Sequence, residues 1–307
     1  MKNATLLLII FCLLVSCKTI NIPEKAVLKQ SKYDFDLYAK YLNESSLSYE
    51  DKVELTNVLT NLIKTNKEEL RKSEKLVVNR KFFIVNDSIK LEYFEFVPKD
   101  FNKNGMFFLG NATNVTSNFN ELEKLSIETK SKLYVLNYRG YGKSDGYPSF
   151  KSLFTDNNLF FNFVEENNPK VNFVIGYSLG TVFATYLAVD NKIDNLILLA
   201  PLSNTKDYLA NFKKQFTSGL KSLMRPFLKL KTDNFLINIS NTDKIKKYDK
   251  NLIIFHAKDD EALPYEMGRK VFFECKSTTK EFIKISKGGH SAPFDKNNWE
   301  QLIKRLQ

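Results

Sequence analysis

The chain of 307 residues is poor in the residue types that usually announce special chemistry, with two histidines, three cysteines and one tryptophan. Cys12 and Cys17 both fall at the extreme amino end, which leaves Cys275 alone and excludes an intrachain disulfide framework for the remainder. Cys275 falls in a helix-like stretch and reads as a buried small hydrophobe. No cluster of His, Cys and carboxylate has ligand spacing, so neither a metal nor another cofactor is expected. The apolar run 6–15 is too short to cross a bilayer comfortably. Hydrophobic content of 43% with 26% charged residues excludes a disordered chain, and the length suits one large α/β domain or two small ones.

What is there begins with Met1-Lys2 ahead of that apolar run, which closes on Leu14-Val15-Ser16-Cys17. A positive start, a short apolar core and a small residue before a cleavage point describe a secretory signal. Leu-Val-Ser-Cys resembles the lipobox of bacterial lipoproteins, which implies cleavage before Cys17 and fatty acylation, such as palmitate, of its sulfur and amine. An ordinary signal or anchor helix with an incidental Cys is the alternative. Two acyl chains make a stable anchor. The folded part is then expected on a membrane of the bacterial cell envelope, facing away from the cytoplasm. Lys18 lacks the acidic character of an inner-membrane retention signal, which favours the outer membrane if the cell has one.

Residues 18–78 read as a tether followed by N-terminal helices, and 79–307 as the main domain. Within the first part, 19–23 is the tether, and apolar spacing predicts helices near 33–42 and 49–71, the second capped by Ser48. A hairpin is expected from strands 81–85 and 89–97 around Asn86-Asp87-Ser88. Strands at 106–109, 133–137, 171–175, 196–199, 252–255 and 281–285 then alternate with helices near 119–129, 152–167, 179–189, 265–275 and 297–306. Such alternation predicts an α/β fold: a mostly parallel central sheet with helices on both faces and ligands at the carboxyl ends of its strands.

About fifty residues separate Pro201 from Lys250 where the rhythm calls for one helix, and we expect a helical cap insertion at about 202–248. Ten basic residues stand against four acidic ones there, about +6 of the chain's formal +11. Basic residues interleaved with Phe212, Phe216, Leu220, Leu223, Met224, Phe227 and Leu228 suit an amphipathic helix. It would either cap the domain with a solvated Lys face or meet an anionic membrane or substrate. Nucleic acid is not an expected partner of an exported chain, despite the basic balance.

The strand 171–175 runs into Gly176-Tyr177-Ser178-Leu179-Gly180, a G-x-S-x-G in strand–turn–helix context that lifts the Ser178 hydroxyl onto a sharp corner. A serine hydroxyl is a weak nucleophile until an imidazole takes its proton, and the imidazole needs a carboxylate to fix its tautomer. Of the two histidines, His290 lies in Lys287-Gly288-Gly289-His290-Ser291, a glycine-rich loop after the last strand. His256 ends a strand and reads as structural, beneath a loop whose useful groups are Asp259 and Asp260.

Four segments together resemble the α/β-hydrolases, in the serine-hydrolase branch that includes the serine aminopeptidase-like proteins. They are Asn137 to Gly146 (N-Y-R-G-Y-G-K-S-D-G), the Ser178 elbow, His256 to Pro264 (H-A-K-D-D-E-A-L-P), and Gly289-His290. The resemblance implies Ser178 as nucleophile, His290 as base and then acid, and Asp260 as the orienting carboxylate, with Asp259 the rival. Tyr138, Arg139 and Tyr141 would shape the loop. The segment Leu109-Gly110-Asn111-Ala112-Thr113-Asn114 is similar to the family's H-G-N-A-G-N, with Leu109 and Thr113 in place of His and Gly. It implies an oxyanion hole from the backbone N–H groups of Asn111 and Leu179. The expected activity is cleavage of a carboxylic ester, less often an amide or thioester, of a small-molecule or lipid-like acyl substrate. A catalytically weak binding lipoprotein and an acyltransferase are the alternatives, and neither acyl specificity nor oligomeric state is legible.

Overall fold

The computed structural model describes residues 18–34, 36, 38, 48–65, 67–86, 88–167, 170–217 and 219–307. The lipobox at Cys17 and most of the helix expected at 33–42 lie outside the described residues.

Strand β1 (Lys18–Asn21) opens the described chain, followed by a single helical turn at Glu24–Val27. Helix α1 (Tyr49–Lys64) is capped by Ser48, whose hydroxyl accepts the Asp51 N–H at 3.1 Å. It ends at Lys64 rather than at 71, because the chain turns outward into an edge strand, β2 (Glu69–Lys72). Buried Arg80 fixes that ending by donating to the carbonyls of Leu62, Thr65 and Lys67 at 3.1, 3.0 and 2.7 Å, which satisfies groups a helix terminus leaves unpaired.

The hairpin is present as β3 (Leu76–Asn86) and β4 (Ile89–Pro98), and the expected domain start at 79 therefore falls inside β3. The alternation then runs β5 (Lys103–Phe108), α2 (Phe119–Glu128), β6 (Ser131–Leu136), α3 (Phe150–Asn167), β7 (Val171–Tyr177), α4 (Gly180–Asn191) and β8 (Asn195–Leu199). After the insertion come β10 (Asn251–Ala257), α6 (Tyr265–Glu274), β11 (Lys280–Ile285) and α7 (Lys296–Leu306), with α5 (Thr205–Phe216) and β9 (Leu228–Lys231) inside the insertion.

Nine strands form one sheet in the order β11-β10-β8-β7-β5-β6-β4-β3-β2. From β11 to β6 all pairings are parallel, and from β6 to β2 all are antiparallel. The central β7 is buried along nearly its whole length, as a parallel strand covered on both faces must be. Helices α2 and α7 pack together, with the Trp299 indole N–H donating to the Glu121 carbonyl at 3.0 Å. Helices α3 and α4 meet through Phe154 and Phe183, whose rings are 5.1 Å apart.

Two further expectations differ from the structure. Residues 219–227 wind as a 3-10 segment with Pro226 inside and then straighten into β9, so the amphipathic α-helix does not extend through them. Pro226 lacks an N–H and restricts the residue before it, which ends regular α-helix locally. The tether at 19–23 is also absent as such. Residues 19–21 of it lie in β1, which pairs in parallel with β9 in register Lys18 to Leu228 through Asn21 to Lys231.

Parallel strand direction puts the ends of β5, β7, β10 and β11 on one edge of the sheet, where residues 111, 178, 260 and 290 follow them. The tightest packing on that edge is at Gly180. A Cβ there would lie 2.1 Å from the Phe108 carbonyl oxygen, on the neighbouring strand's backbone. The Gly180→Ala substitution should therefore destabilise the chain by roughly 1–3 kcal/mol, as overpacking does. Urea unfolding followed by tryptophan fluorescence measures it.

Candidate active site

Ser178 leaves β7 with φ 51°, a left-handed conformation unusual for a residue with a Cβ, before α4 begins. Its own N–H donates to the Leu199 carbonyl at 2.9 Å, and its carbonyl accepts from the Thr181 N–H and hydroxyl at 3.1 and 2.6 Å. These bonds hold the corner against its strain. Gly176 permits the turn, since a Cβ there would sit 2.6 Å from the Gly180 carbonyl oxygen.

His290 follows β11 on a 3-10 turn, Gly289–Phe294, and its Nε2 lies 2.8 Å from Ser178 Oγ. Its Nδ1 lies 2.7 Å from Asp260 Oδ2. An ionised carboxylate only accepts, so Nδ1 carries the proton and Nε2 is left to accept the Ser178 hydroxyl. The ring is about a quarter exposed and packs beside Tyr177, with centroids 5.2 Å apart. Burial, and secondarily the charge of Asp260, push the Tyr177 phenol well above its ordinary range, so it stays neutral there.

Asp260 and Asp259 divide the loop after β10. Exposed Asp259 accepts the N–H groups of Gly288 and Gly289 at 3.1 and 2.9 Å, which shapes the His290 loop from outside. Those two amides hold its carboxyl below the usual range, Gly289 more than Gly288. Buried Asp260 turns inward to the ring, and its Oδ1 accepts the Leu263 N–H at 2.9 Å. Burial by itself would push the Asp260 carboxyl up. Hydrogen bonds from His256, His290 and Leu263, with the attraction of His290, outweigh it and hold the group well below the usual carboxylate range.

His256, read as structural, sits under this loop and is fully buried, yet it also touches the carboxylate. Its Nε2 is 2.8 Å from the Leu263 carbonyl and 3.3 Å from Asp260 Oδ2. The carbonyl makes Nε2 the protonated nitrogen, and Gly268 closes over Nδ1, where a Cβ would come within 2.3 Å. Proximity to Asp260 had a sequence signal, the four-residue separation across a tight loop, but strand and loop boundaries were needed to use it.

The segment 109–114 forms the opposite wall. Thr113, where the family pattern has glycine, needs no left-handed backbone; its hydroxyl donates to the Gly110 carbonyl at 3.1 Å and closes the turn. The left-handed position is Ala112, at φ 56°, whose N–H donates to the Tyr141 hydroxyl at 3.0 Å. Tyr138 donates to the Leu109 carbonyl at 3.0 Å, and Arg139 forks onto Asp156 at 2.7 and 2.8 Å, so all three shape loops. Among the described residues, neither the Asn111 nor the Leu179 backbone N–H has a protein acceptor. Both residues line the same cavity as Ser178 and His290.

That cavity encloses about 340 Å³, and its walls are largely apolar, including Leu202, Leu209, Phe212, Leu236 and Leu263. Two wall residues come from far away in the chain, Val27 and Leu28. Nothing in the sequence pattern marks them. Among the described residues no group of His, Cys, Asp and Glu is placed to hold a metal ion.

A family model described as serine aminopeptidase matches residues 127–252, a span that contains Ser178 and ends before Asp260 and His290. An uncharacterized protein of Acanthamoeba polyphaga mimivirus is 30% identical over 230 residues, covering 67% of this chain and 73% of that protein. The lysophosphatidylserine lipase ABHD12 of Danio rerio is 29% identical over 148 residues, 44% of this chain but only 37% of the lipase. Among solved structures, the esterase Pf2001 of Pyrococcus furiosus aligns with TM-score 0.59 at 16% identity, over 75% of this chain and 90% of its own. Acetyl xylan esterase 1 of a Thermoanaerobacterium species aligns with TM-score 0.56 at 14% identity, over 90% and 95% respectively.

The depressed Asp260 carboxyl makes a stability prediction. Unfolding returns it to an ordinary value near ~4, so the unfolded chain binds more protons between the folded value and that one. The stability this charge contributes is in full force above pH ~4 and fades as pH falls below it. The Asp260→Asn variant should therefore be less stable than the parent at pH 7, with the gap narrowing as denaturation is measured at successively lower pH below about 4.

Proposed function

We propose that this chain, which belongs to the α/β-hydrolase superfamily, is a serine hydrolase that cleaves a carboxylic ester with an apolar acyl group. The observation that carries the reading is the continuous relay from Asp260 Oδ2 to His290 at 2.7 Å and from His290 to Ser178 Oγ at 2.8 Å, whose last two members line an apolar cavity.

In this reading Ser178 Oγ attacks the carbonyl carbon while His290 Nε2 takes its proton. Asp260 holds the ring tautomer and stabilises the imidazolium. The developing oxyanion is met by the Asn111 and Leu179 N–H groups, which are worth most in a site that excludes water. Nε2 returns the proton to the departing alkoxide as the ester C–O bond breaks, leaving an acyl-enzyme. Water then gives a proton to Nε2 and adds its oxygen to the acyl carbon, and Ser178 leaves with the proton restored. The cavity is within the size range of small-molecule sites, and the lysophosphatidylserine lipase among the relatives supports an acyl substrate of lipid type. Amides and thioesters follow the same path with another leaving group.

We also propose that Cys17 carries lipid and holds the chain on a membrane of the cell envelope, on the strength of Leu14-Val15-Ser16-Cys17 and the apolar run before it. No helix among the described residues is long and apolar enough to cross a membrane.

Replacing Ser178 by Ala should lower kcat for p-nitrophenyl esters by about 10⁶-fold and abolish labelling by a fluorophosphonate. A parent chain inert to both would favour a binding protein on this fold, and product transfer to an added alcohol would mark an acyltransferase. Cys17→Ala should lose incorporation of an alkyne fatty acid and shift the chain from the detergent phase to the aqueous phase; unchanged incorporation would refute acylation at that residue.

A further inference from the structure

Residues 22–34, which span the end of the tether expected at 19–23 and the start of the helix expected near 33–42, run as a strap across the candidate site. Two side chains of the segment 109–114 hold it: Asn114 Nδ2 donates to the Ser31 carbonyl and hydroxyl at 3.3 and 3.0 Å, and Asn111 grips it beside the cavity. Asn111 Oδ1 accepts the Lys29 N–H at 3.0 Å, and Asn111 Nδ2 donates to the Val27 carbonyl at 2.7 Å. The carboxamide thus grips a donor and an acceptor two residues apart, as a neighbouring strand would. The Tyr141 hydroxyl adds a contact to Oδ1 at 3.3 Å while accepting the Ala112 N–H. Asn111 is therefore tied through its side chain on one side and through the following peptide on the other, and its own N–H is the group left over.

We propose that the Asn111 carboxamide is a positioning group for the oxyanion hole, and that the strap it grips is thereby a working part of the site. The proposal rests on the serine-hydrolase reading above. Its physical content is orientational. A backbone donor stabilises a developing oxyanion only if it is aimed before the reaction starts, and the Gly110–Asn111 peptide follows a glycine, whose backbone is free to turn. With the carboxamide anchored on Val27 and Lys29, that turn is blocked. The same grip brackets Leu28, which is buried and lines the cavity with Val27, so the donor and part of the acyl wall are tied to each other.

The strap does not depend on Asn111 for its own place. Ser31 accepts the Gly142 N–H at 2.7 Å, Tyr33 donates to Glu92 at 2.7 Å, and Ile22 donates to the Lys231 carbonyl at 2.7 Å. Removing the carboxamide should thus leave the strap seated and loosen the peptide alone.

The test compares Asn111→Ala with Lys29→Pro in the full chain. The second removes the N–H that Asn111 accepts, together with an exposed lysine side chain. Leu28, at φ −85° and ψ 122°, already has the backbone that a residue before proline prefers. Active sites are counted by fluorophosphonate titration so that kcat refers to folded enzyme. For p-nitrophenyl acetate, Asn111→Ala should lose roughly 10–100-fold in kcat with KM changed less than about 3-fold, part of what deleting an oxyanion donor costs. Lys29→Pro should show the same pattern at smaller size. Affinity for a trifluoromethyl ketone, which forms the tetrahedral adduct, should fall in step with kcat in both variants. A purely structural role would lower the number of titrated sites and leave kcat per site and ketone affinity unchanged, and that result would overturn the proposal. A parent chain that neither turns over ester nor takes up the fluorophosphonate would instead overturn the serine-hydrolase reading and this one with it.

Discussion

Asp260 is the point on which the arrangement depends. Its two oxygens meet two imidazoles and one backbone amide within 3.3 Å, in a place burial would otherwise make hostile to charge. A buried carboxylate is tolerated only when hydrogen bonds replace its water, and here those bonds come from groups that also need the acid. Ionised, Asp260 fixes which nitrogen of His290 bears the proton, and with it which nitrogen faces Ser178. Protonated, it would leave the ring without an orienting partner. His256, on the far side, ties the carboxylate to the Leu263 carbonyl and so to the loop's exit. The adjacent Asp259 carries none of this burden; it stays in water and holds the two glycines that bring the ring into place. Two neighbouring acids of identical chemistry are separated in role by which way the chain turns after β10.

The sheet was legible because parallel strands buried on both faces write themselves as apolar runs, and 171–175, 196–199 and 252–255 lie inside β7, β8 and β10. The residues at their carboxyl ends were legible for a related reason. A nucleophile corner needs glycines at fixed distance, and only two histidines were available to serve it. Illegible were the elements whose conformation is set by distant partners. β2 and β1 are four-residue strands with mixed composition, formed because β3 and β9 offer them free edges. The end of α1 depends on Arg80, sixteen residues beyond it, and Val27 and Leu28 become cavity wall because the strap that carries them is bonded to Glu92, Asn111, Asn114, Gly142 and Lys231.

The insertion and the amino-terminal strap meet as one structure over the cavity. β1 and β9 pair side by side, Thr232 donates to the Ile22 carbonyl at 3.1 Å, and the Glu24 carboxylate accepts the Phe150 N–H at the start of α3. The apolar walls contributed by Leu209 and Phe212 from α5 thus face walls contributed by Val27 and Leu28 from the strap. Enclosure of this kind removes water from the region where charge would develop, and it does so with segments outside the alternating strand and helix core.

Because β1 begins at Lys18 and pairs with β9, the chain is part of the folded structure from its first described residue. Recombinant versions shortened to the first strand of the main sheet, a natural economy when the opening seventy residues look like leader and linker, would express a protein whose binding chamber lacks one side and whose insertion has lost its edge partner. Poor behaviour of such a shortened protein would report on the trimming, not on the whole chain.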